Sequence, residues 1–542
     1  MVLSCCGFSV YFRSRLKIVR HQSDGAHEAM LGAGKKPKIT KTKETQEAEK
    51  SEEYEALQSF LRSISSTATL PPYVKGETFS SYRGVFNQCL VTCAVLILAA
   101  GAGHPIGFSA VALPQLRNET SNMRIDEDMG SWIASIHSAA TPLGSMVSGP
   151  IMEFIGRKRT LQSCTLPLII GWIIIGTSIH NGMLLFGRVL CGFAVGVMAA
   201  PSQVYLGEIA EPRLRGLLIG APFVAYSLGV LYVYALGGVL TWRSVALLSI
   251  VLPGLAVVAL CFSPESPTWL ARQGRFHDAM AAMARLRGDP DIAQRELHEL
   301  ISAREKEKAR GEHSIRFFAT VTRAPVLKPL LLINLFNMLQ ILSGSYVVIF
   351  YAVDMVRDSG GALDPQVTAN ASALVRLCVT VVACALLMRL TRRVLVMISG
   401  VGTAVCTLSL AYVLSQGSAG YAAPILILSY VGFNTLGFFL LPGLMIGELL
   451  PTKVRGLCGG YIFCLFNAVL FGFTKLYPVM KDKIGMTGVF GLFGASSSLA
   501  TVALFLLLPE TKGKSLLQIE QYYQKPNLLW VTRKKATNNQ EV

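Results

Sequence analysis

The sequence predicts an all-α membrane protein that crosses a bilayer twelve times. Three observations carry that expectation. Of the 542 residues, 52% are hydrophobic and only 15% charged, against about a quarter charged in an ordinary soluble domain. The mean hydropathy is +0.47. The apolar residues are also gathered into stretches long enough to span, since a helix rising 1.5 Å per residue needs roughly 20 of them. Such a composition excludes a disordered chain and disfavours a soluble globular enzyme.

Twelve stretches satisfy the length, near 86–113, 130–152, 160–179, 183–205, 217–240, 243–263, 328–352, 367–388, 394–415, 421–447, 457–478 and 486–508. Between the sixth and seventh, residues 271–327 turn polar and rich in Lys, Arg, Glu and Asp. The expected organisation is a polar, largely disordered N-terminal tail (1–84), a six-helix bundle (85–270), a linker with short helices (271–327), a second six-helix bundle (328–508) and a C-terminal tail (509–542).

Charge sets the orientation. The excess of 50 Lys+Arg over 33 Asp+Glu gives a net charge of +17. It collects in loops on one side: Arg157, Lys158 and Arg159 after span 2, Arg213 and Arg215 after span 4, Arg389, Arg392 and Arg393 after span 8, Lys453 and Arg455 after span 10. All share the linker's side, while an opposite loop carries Asp126, Glu127 and Asp128. Basic loops face the cytoplasm, so both termini and the linker are expected there. The charge is thus explained by the lipid bilayer, and no nucleic acid is called for. Sequons at Asn118 and Asn370 fall on the outer side, as glycosylation requires. The start of the chain shows no cleavable signal, its short apolar stretch being broken by Arg13 and Arg15. Cys5 and Cys6 beside basic residues fit either palmitoylation or plain cytosolic thiols. The other ten cysteines sit in or beside spans without a CxxC pair and read as packing residues, with no metal or disulfide framework.

The halves repeat each other. A basic loop joins the second and third spans of each, Gly156-Arg157-Lys158-Arg159 and Leu390-Thr391-Arg392-Arg393. After the fourth span come Gly207-Glu208 to Arg215-Gly216 and Gly447-Glu448 to Arg455-Gly456, with Glu and Arg seven residues apart in both. Repeated halves with a site at their interface are a transporter signature. With Gly187-Arg188, Pro264-Glu265-Ser266-Pro267, Gln340 to Gly344 and Pro509-Glu510-Thr511-Lys512-Gly513, the chain resembles the sugar-porter branch of the major facilitator superfamily, most closely the insect facilitated trehalose transporters. The resemblance covers about 85–515. It implies a plasma-membrane carrier that moves a small-molecule solute, a sugar such as trehalose or a hexose, by alternating access and without a cofactor. It further implies that Arg157, Glu208, Arg215, Arg393, Glu448 and Arg455 form a gate between the halves at the cytosolic side. The alternative is that the basic residues only anchor helices to the leaflet.

For the pocket, the resemblance points to spans 5, 7, 8, 10 and 11. Gln340 matches the first glutamine of the family's span 7 pair, whose partner is Ile341 here, and the asparagine beyond it is Tyr346. The span 10 tryptophan is Gly443, an intramembrane acidic position is Thr435, the span 11 Asn-Trp pair becomes Phe466-Asn467 shifted by one, and a span 5 glutamine is Phe223. The sharpest departure is Arg376, twelve residues before Met388 and so about 18 Å from the end of span 8, where the family has Asn or Gln. A charge at that depth is costly and functional. Three readings stand: Arg376 pairs with an acid such as Asp354, binds an anionic or carboxylate-bearing solute, or blocks the sugar site. Span 1 lacks the acid of proton-driven relatives, and its His104 reads as a packing residue, so facilitative transport is expected. No nucleophile set, metal cluster or phosphate loop suggests an enzyme; His137 and His180 stand alone in the sequence. Apart from a carrier of another polar or anionic metabolite, the remaining alternative is a non-transporting sensor signalling through its tail.

Overall fold

The computed structural model describes residues 82–119, 123–211, 214–309, 323–417, 420–512 and 516–524, with side chains throughout except at 303–309, 388, 452–453, 455–457, 516–518 and 520. The tail bearing Cys5 and Cys6, Thr120 of the first sequon, Arg213, most of the C-terminal tail and the Arg455 side chain lie outside them.

The membrane helices are α1 (Tyr82–Arg117), α2 (Glu127–Ile155), α3 (Arg157–Gly176), α4 (Asn181–Ile209), α5 (Arg215–Gly237), α6 (Trp242–Leu248 continued by Val251–Cys261), α7 (Ala324–Leu342, resumed by Val347–Phe350 and Ala352–Asp358), α8 (Pro365–Arg389), α9 (Arg392–Ser415) and α10 (Ala422–Asn434, a π-turn Thr435–Phe439, then Leu441–Leu449). A last run, Thr452–Leu507, breaks at Gly485 (φ 66°, ψ 175°) into α11 and α12. Ten described helices are long and apolar enough to cross a bilayer. The last of these is two spans, and α2, whose apolar run is interrupted by Ser, Thr and His, completes the twelve. The fold is all-α and multi-pass, as its hydropathy predicts.

The described chain falls into two compact units. One comprises 82–90, 150–159 and 264–309. Its three linker helices, Pro267–Arg272, Phe276–Arg287 and Pro290–Ala309, share a core of Trp269, Leu270, Phe276, Ala279, Leu297 and Ile301. The last turn of a helix leaves its carbonyls unpaired. Here Asn87 Nδ2 donates to Arg285 O (2.7 Å) and Gln88 Nε2 to Leu286 O (3.1 Å), so the first turns of α1 close that end.

The other unit holds the bulk of the membrane helices. Helices in lipid associate through close packing of small residues, and the sequence supplies them in pairs. A Cβ on Gly144 would meet the backbone of Phe193, and one on Gly192 the backbone of His137, so α2 and α4 cross backbone to backbone. Gly103 and Gly229 do the same for α1 and α5. In the second half Phe336, Leu395, Phe438, Ile462, Ala500 and Leu504 build a core from α7, α9, α10, α11 and α12. Arg188, fully buried on α4, staples three helices: Nε donates to Ile133 O (3.0 Å) on α2, while Nη2 reaches Ser109 Oγ (2.7 Å) and Nη1 reaches Pro105 O on α1. His104 stacks on Tyr232 (centroids 5.0 Å, 17°) with Trp172 at its edge, a packing role.

Candidate functional site

Two helices lose their regular ladder at the same depth. In α7 the chain turns at Gly344 (φ 83°), and the hydroxyls of Ser343 (2.7 Å) and Ser345 (3.1 Å) both donate to Gln340 O. In α10 the π-turn frees backbone groups that Ser399 of α9 satisfies: its hydroxyl donates to Phe433 O (2.6 Å) and accepts from Phe438 N–H (3.0 Å). Irregular backbone inside a membrane persists only when neighbours satisfy it or it lines a cavity. Tyr430 Oη to Ser343 O (2.8 Å) and Asn434 Nδ2 to Ser343 Oγ (3.2 Å) join the two breaks.

Arg376 lies between them, eleven residues into α8 and thirteen from its end. It is 4% exposed, its Cζ sits 5.1 Å from the Phe439 ring centroid, and Nη1 has no hydrogen-bond partner among the described residues. The hydroxyls of Tyr226, Tyr234, Tyr346 and Tyr430 lie within its electrostatic reach. Two of those protons are already used, Tyr234 Oη donating to Ile349 O (2.5 Å) and Tyr430 as above. A cation at the bilayer centre costs about 2.5–3.5 kcal/mol even on the mildest scale. One cation–π contact returns about 0.5–2 kcal/mol. Of the three readings, the pairing with Asp354 is not made, as Asp354 Oδ2 is held by Arg117 Nη1 at 2.7 Å. Desolvation decides this: a carboxylate at the outer end of α7 is best matched by the cation ending α1, not by one at mid-helix.

The other predicted pocket residues divide. Gln340 is buried beside the Tyr346 hydroxyl, and the Tyr346 ring contacts Phe439 (5.7 Å) and Phe466 (5.3 Å). Ile341, 1% exposed, offers only apolar surface. Asn467 turns its amide back to Phe463 O (2.9 Å) in its own helix, so Phe466 is the α11 residue that faces Tyr346. Phe223 and Gly443 prove to be one feature: a Cβ on Gly443 would stand 2.8 Å from Phe223 Cζ, so the α5 ring occupies the space that an α10 side chain would take. Phe439, Tyr226, Tyr234 and Tyr430 were missed. For α5 the signal was present, as 223, 226, 230 and 234 fall on one helical face.

Two repeated networks stand at the starts of α3 and α9. Glu265 Oε1 accepts from Arg157 N and Lys158 N (both 2.9 Å), capping α3 from outside the helix. Glu510 accepts from Arg392 N and Arg393 N (both 3.3 Å), capping α9 in the same way. Each first helical arginine wraps back to the carbonyl five residues before it, Arg157 to Met152 (3.2 Å) and Arg392 to Leu387 (3.0 Å). Arg157 pairs with Glu153 (3.0 Å), and Arg392 with Glu448 (2.8 Å), which also accepts from Thr511 Oγ1. Arg392, which the expected gate did not include, makes this pair, while the Arg393 guanidinium reaches Phe505 O and lies over its ring. Aligning the halves would have found it, since Arg157 and Arg392 each open a helix. Glu208 ends α4 partly buried, and Arg215 opens α5 exposed.

The ion pairs just described each join residues of one half; pairs joining the halves are described at the opposite end. Arg117 of α1 meets Asp354 of α7, and Lys475 of α11 meets Asp128 at the start of α2 (2.6 Å) while lying 4.3 Å from the Trp132 ring centroid. Below them Gln366 Nε2 of α8 donates to Tyr234 O of α5 (3.2 Å), and Ser227 and Thr380 hydroxyls meet at 3.4 Å. Asn118 is exposed in the turn after α1, whereas Asn370 lies within α8, its Oδ1 accepting from Gln366 (3.2 Å).

This geometry, a polar and aromatic cluster at mid-membrane between two repeated halves, is that of a membrane carrier. The family model described as "Sugar (and other) transporter" matches residues 63–523. A facilitated trehalose transporter Tret1 of Apis mellifera ligustica is 31% identical over 447 residues, covering 81% of this chain and 88% of its own length. One of Culex quinquefasciatus is 31% identical over 445 residues, covering 80% and 86%. Among solved structures, the proton:xylose symporter XylE bound to 6-bromo-6-deoxy-D-glucose superposes with a TM-score of 0.68 at 18% identity, covering 81% and 99%. The inward-open XylE from E. coli gives 0.66 at 18%, covering 80% and 99%. The chain belongs to the sugar (and other) transporter family and has the major facilitator fold.

Proposed function

We propose that the chain is a facilitative carrier of a polyhydroxylated, sugar-like solute, with linker and termini in the cytosol of a plasma-membrane protein. The observation that carries this reading is the mid-membrane cluster of Arg376, Gln340, Tyr346, Tyr226 and Phe439. It combines an amide, phenols and aromatic faces, the groups that read hydroxyls and stack on a sugar ring. The two six-helix halves rock about it. Cross-half pairs Arg117–Asp354 and Lys475–Asp128 hold the outer end shut, and Arg157, Glu208, Arg215, Arg393, Glu448 and Arg455, joined by Arg392, gate the other end. Asn118 is the residue available for glycosylation.

Counterflow by the purified chain in liposomes tests this, using labelled trehalose, hexoses and sugar acids with and without a pH gradient. The expected result is saturable exchange that ignores the proton gradient, with label rising transiently above equilibrium only when unlabelled solute is preloaded. Solute binding without flux would replace the carrier by the sensor, and accumulation driven by protons would remove the facilitative reading.

A further inference from the structure

Arg376 carries a feature that a pocket for neutral sugars does not need. A sugar hydroxyl can accept from a guanidinium, but it leaves the full positive charge without a counter-ion in a water-poor setting. Around Arg376 the chain provides rings and phenols, and no ion pair to it is made among the described residues. Asp354, the acid considered as its partner, is committed to Arg117. Tyr234 and Tyr430 have spent their protons on backbone carbonyls, so they turn acceptor lone pairs, not donors, toward the site. A guanidinium with a buried, unpartnered Nη1 calls for an acceptor, and a carboxylate is the strongest match. The aromatic faces of Tyr346, Phe439 and Phe466, with Phe223 filling the space beside Gly443, suit a ring carrying that carboxylate.

Resting on the carrier reading above, we infer that the solute is an organic anion of the sugar-acid class, whose carboxylate is held by Arg376 while its hydroxyls meet Gln340 and the tyrosines. Arg376 is thus the residue that sets charge selectivity. Because the arginine stays with the protein, each transported anion moves net charge across the membrane, and flux responds to the membrane potential.

The full chain is reconstituted in phosphatidylcholine vesicles, and uptake of labelled glucuronate and gluconate is compared with glucose and trehalose under potassium diffusion potentials. The carboxylates are expected to enter at least tenfold faster than their neutral counterparts, with an inside-positive potential raising uptake and an inside-negative one lowering it. Arg376→Gln is expected to cut carboxylate flux at least tenfold and to bring the ratio to neutral sugars near one; Arg376→Lys retains part of the preference. Should Arg376→Gln not fold, the wild-type chain still decides: glucuronate raises its melting temperature in detergent and glucose at the same concentration does not. Neutral sugars moving while carboxylates do not would overturn this inference and leave the carrier intact. An Arg376→Gln protein with the wild-type ratio would also overturn it. No flux of either class, with a melting temperature unmoved by glucuronate, would count against both readings.

Discussion

Single residues determine what this cavity admits. Phe223 and Gly443 illustrate it, because one fills what the other vacates. Gly443→Trp should crowd the Phe223 ring and cost about 1–3 kcal/mol, the usual penalty of overpacking. Phe223→Ala should relieve that strain, so the double variant is expected to be more stable than the sum of the two single changes by about 1 kcal/mol. Melting temperatures of the four purified proteins close the cycle, and additive values would show that the two positions do not touch. At the outer surface, Asn118→Gln should remove a glycan seen as a mobility shift on gels. Asn370→Gln should leave mobility unchanged, since that side chain is engaged inside α8.

At the scale of elements, the two outlying caps are the parts most open to test. Glu265 and Glu510 place negative charge on the positive ends of α3 and α9. Replacing either by Ala removes the acceptor of three backbone N–H groups, two of them at the helix start, and should lower stability by about 0.5–2 kcal/mol, read as a lower melting temperature; Asp should recover little because its reach is shorter. Much of this level was legible in advance. Hydropathy located the spans of the all-α fold. What the linear pattern missed were interruptions. Span 7 reads as continuous from 328 to 352, yet the chain breaks at Ser343–Tyr346 because Gly344 takes a left-handed turn and two serines absorb the loose carbonyl. The π-turn of α10 is equally silent in the sequence, because the serine that sustains it sits on another helix. Pairings such as Arg117–Asp354, 237 positions apart, have no local signature at all. The Arg392–Glu448 pair did have one, in the register of the repeat.

For the whole molecule, the proposed carrier cycle can be tested at the described ion pairs that join the halves. Arg117–Asp354 and Lys475–Asp128 tie the halves at one end, the first with an acid only 7% exposed. Removing a partly buried pair of this kind costs about 1–2 kcal/mol, a factor of roughly five to thirty in a two-state equilibrium. Arg117→Ala should therefore shift the carrier toward opening at that end. A cysteine at Thr474, buried beside Lys475, should then react that much faster with an impermeant maleimide from outside, in a background without the exposed Cys89, Cys93, Cys261 and Cys378. Unchanged labelling would mean the pair does not govern access.

The external caps also bear on how such a chain is made. Glu265 follows the sixth helix and plugs the third, so the first repeat carries its own fastener and can be locked while the ribosome has yet to translate the second. Glu510 does the same service for its own repeat much later. Two modules that each complete themselves in this way need not wait for one another during insertion, and only the contacts that swing in the working cycle have to be made last.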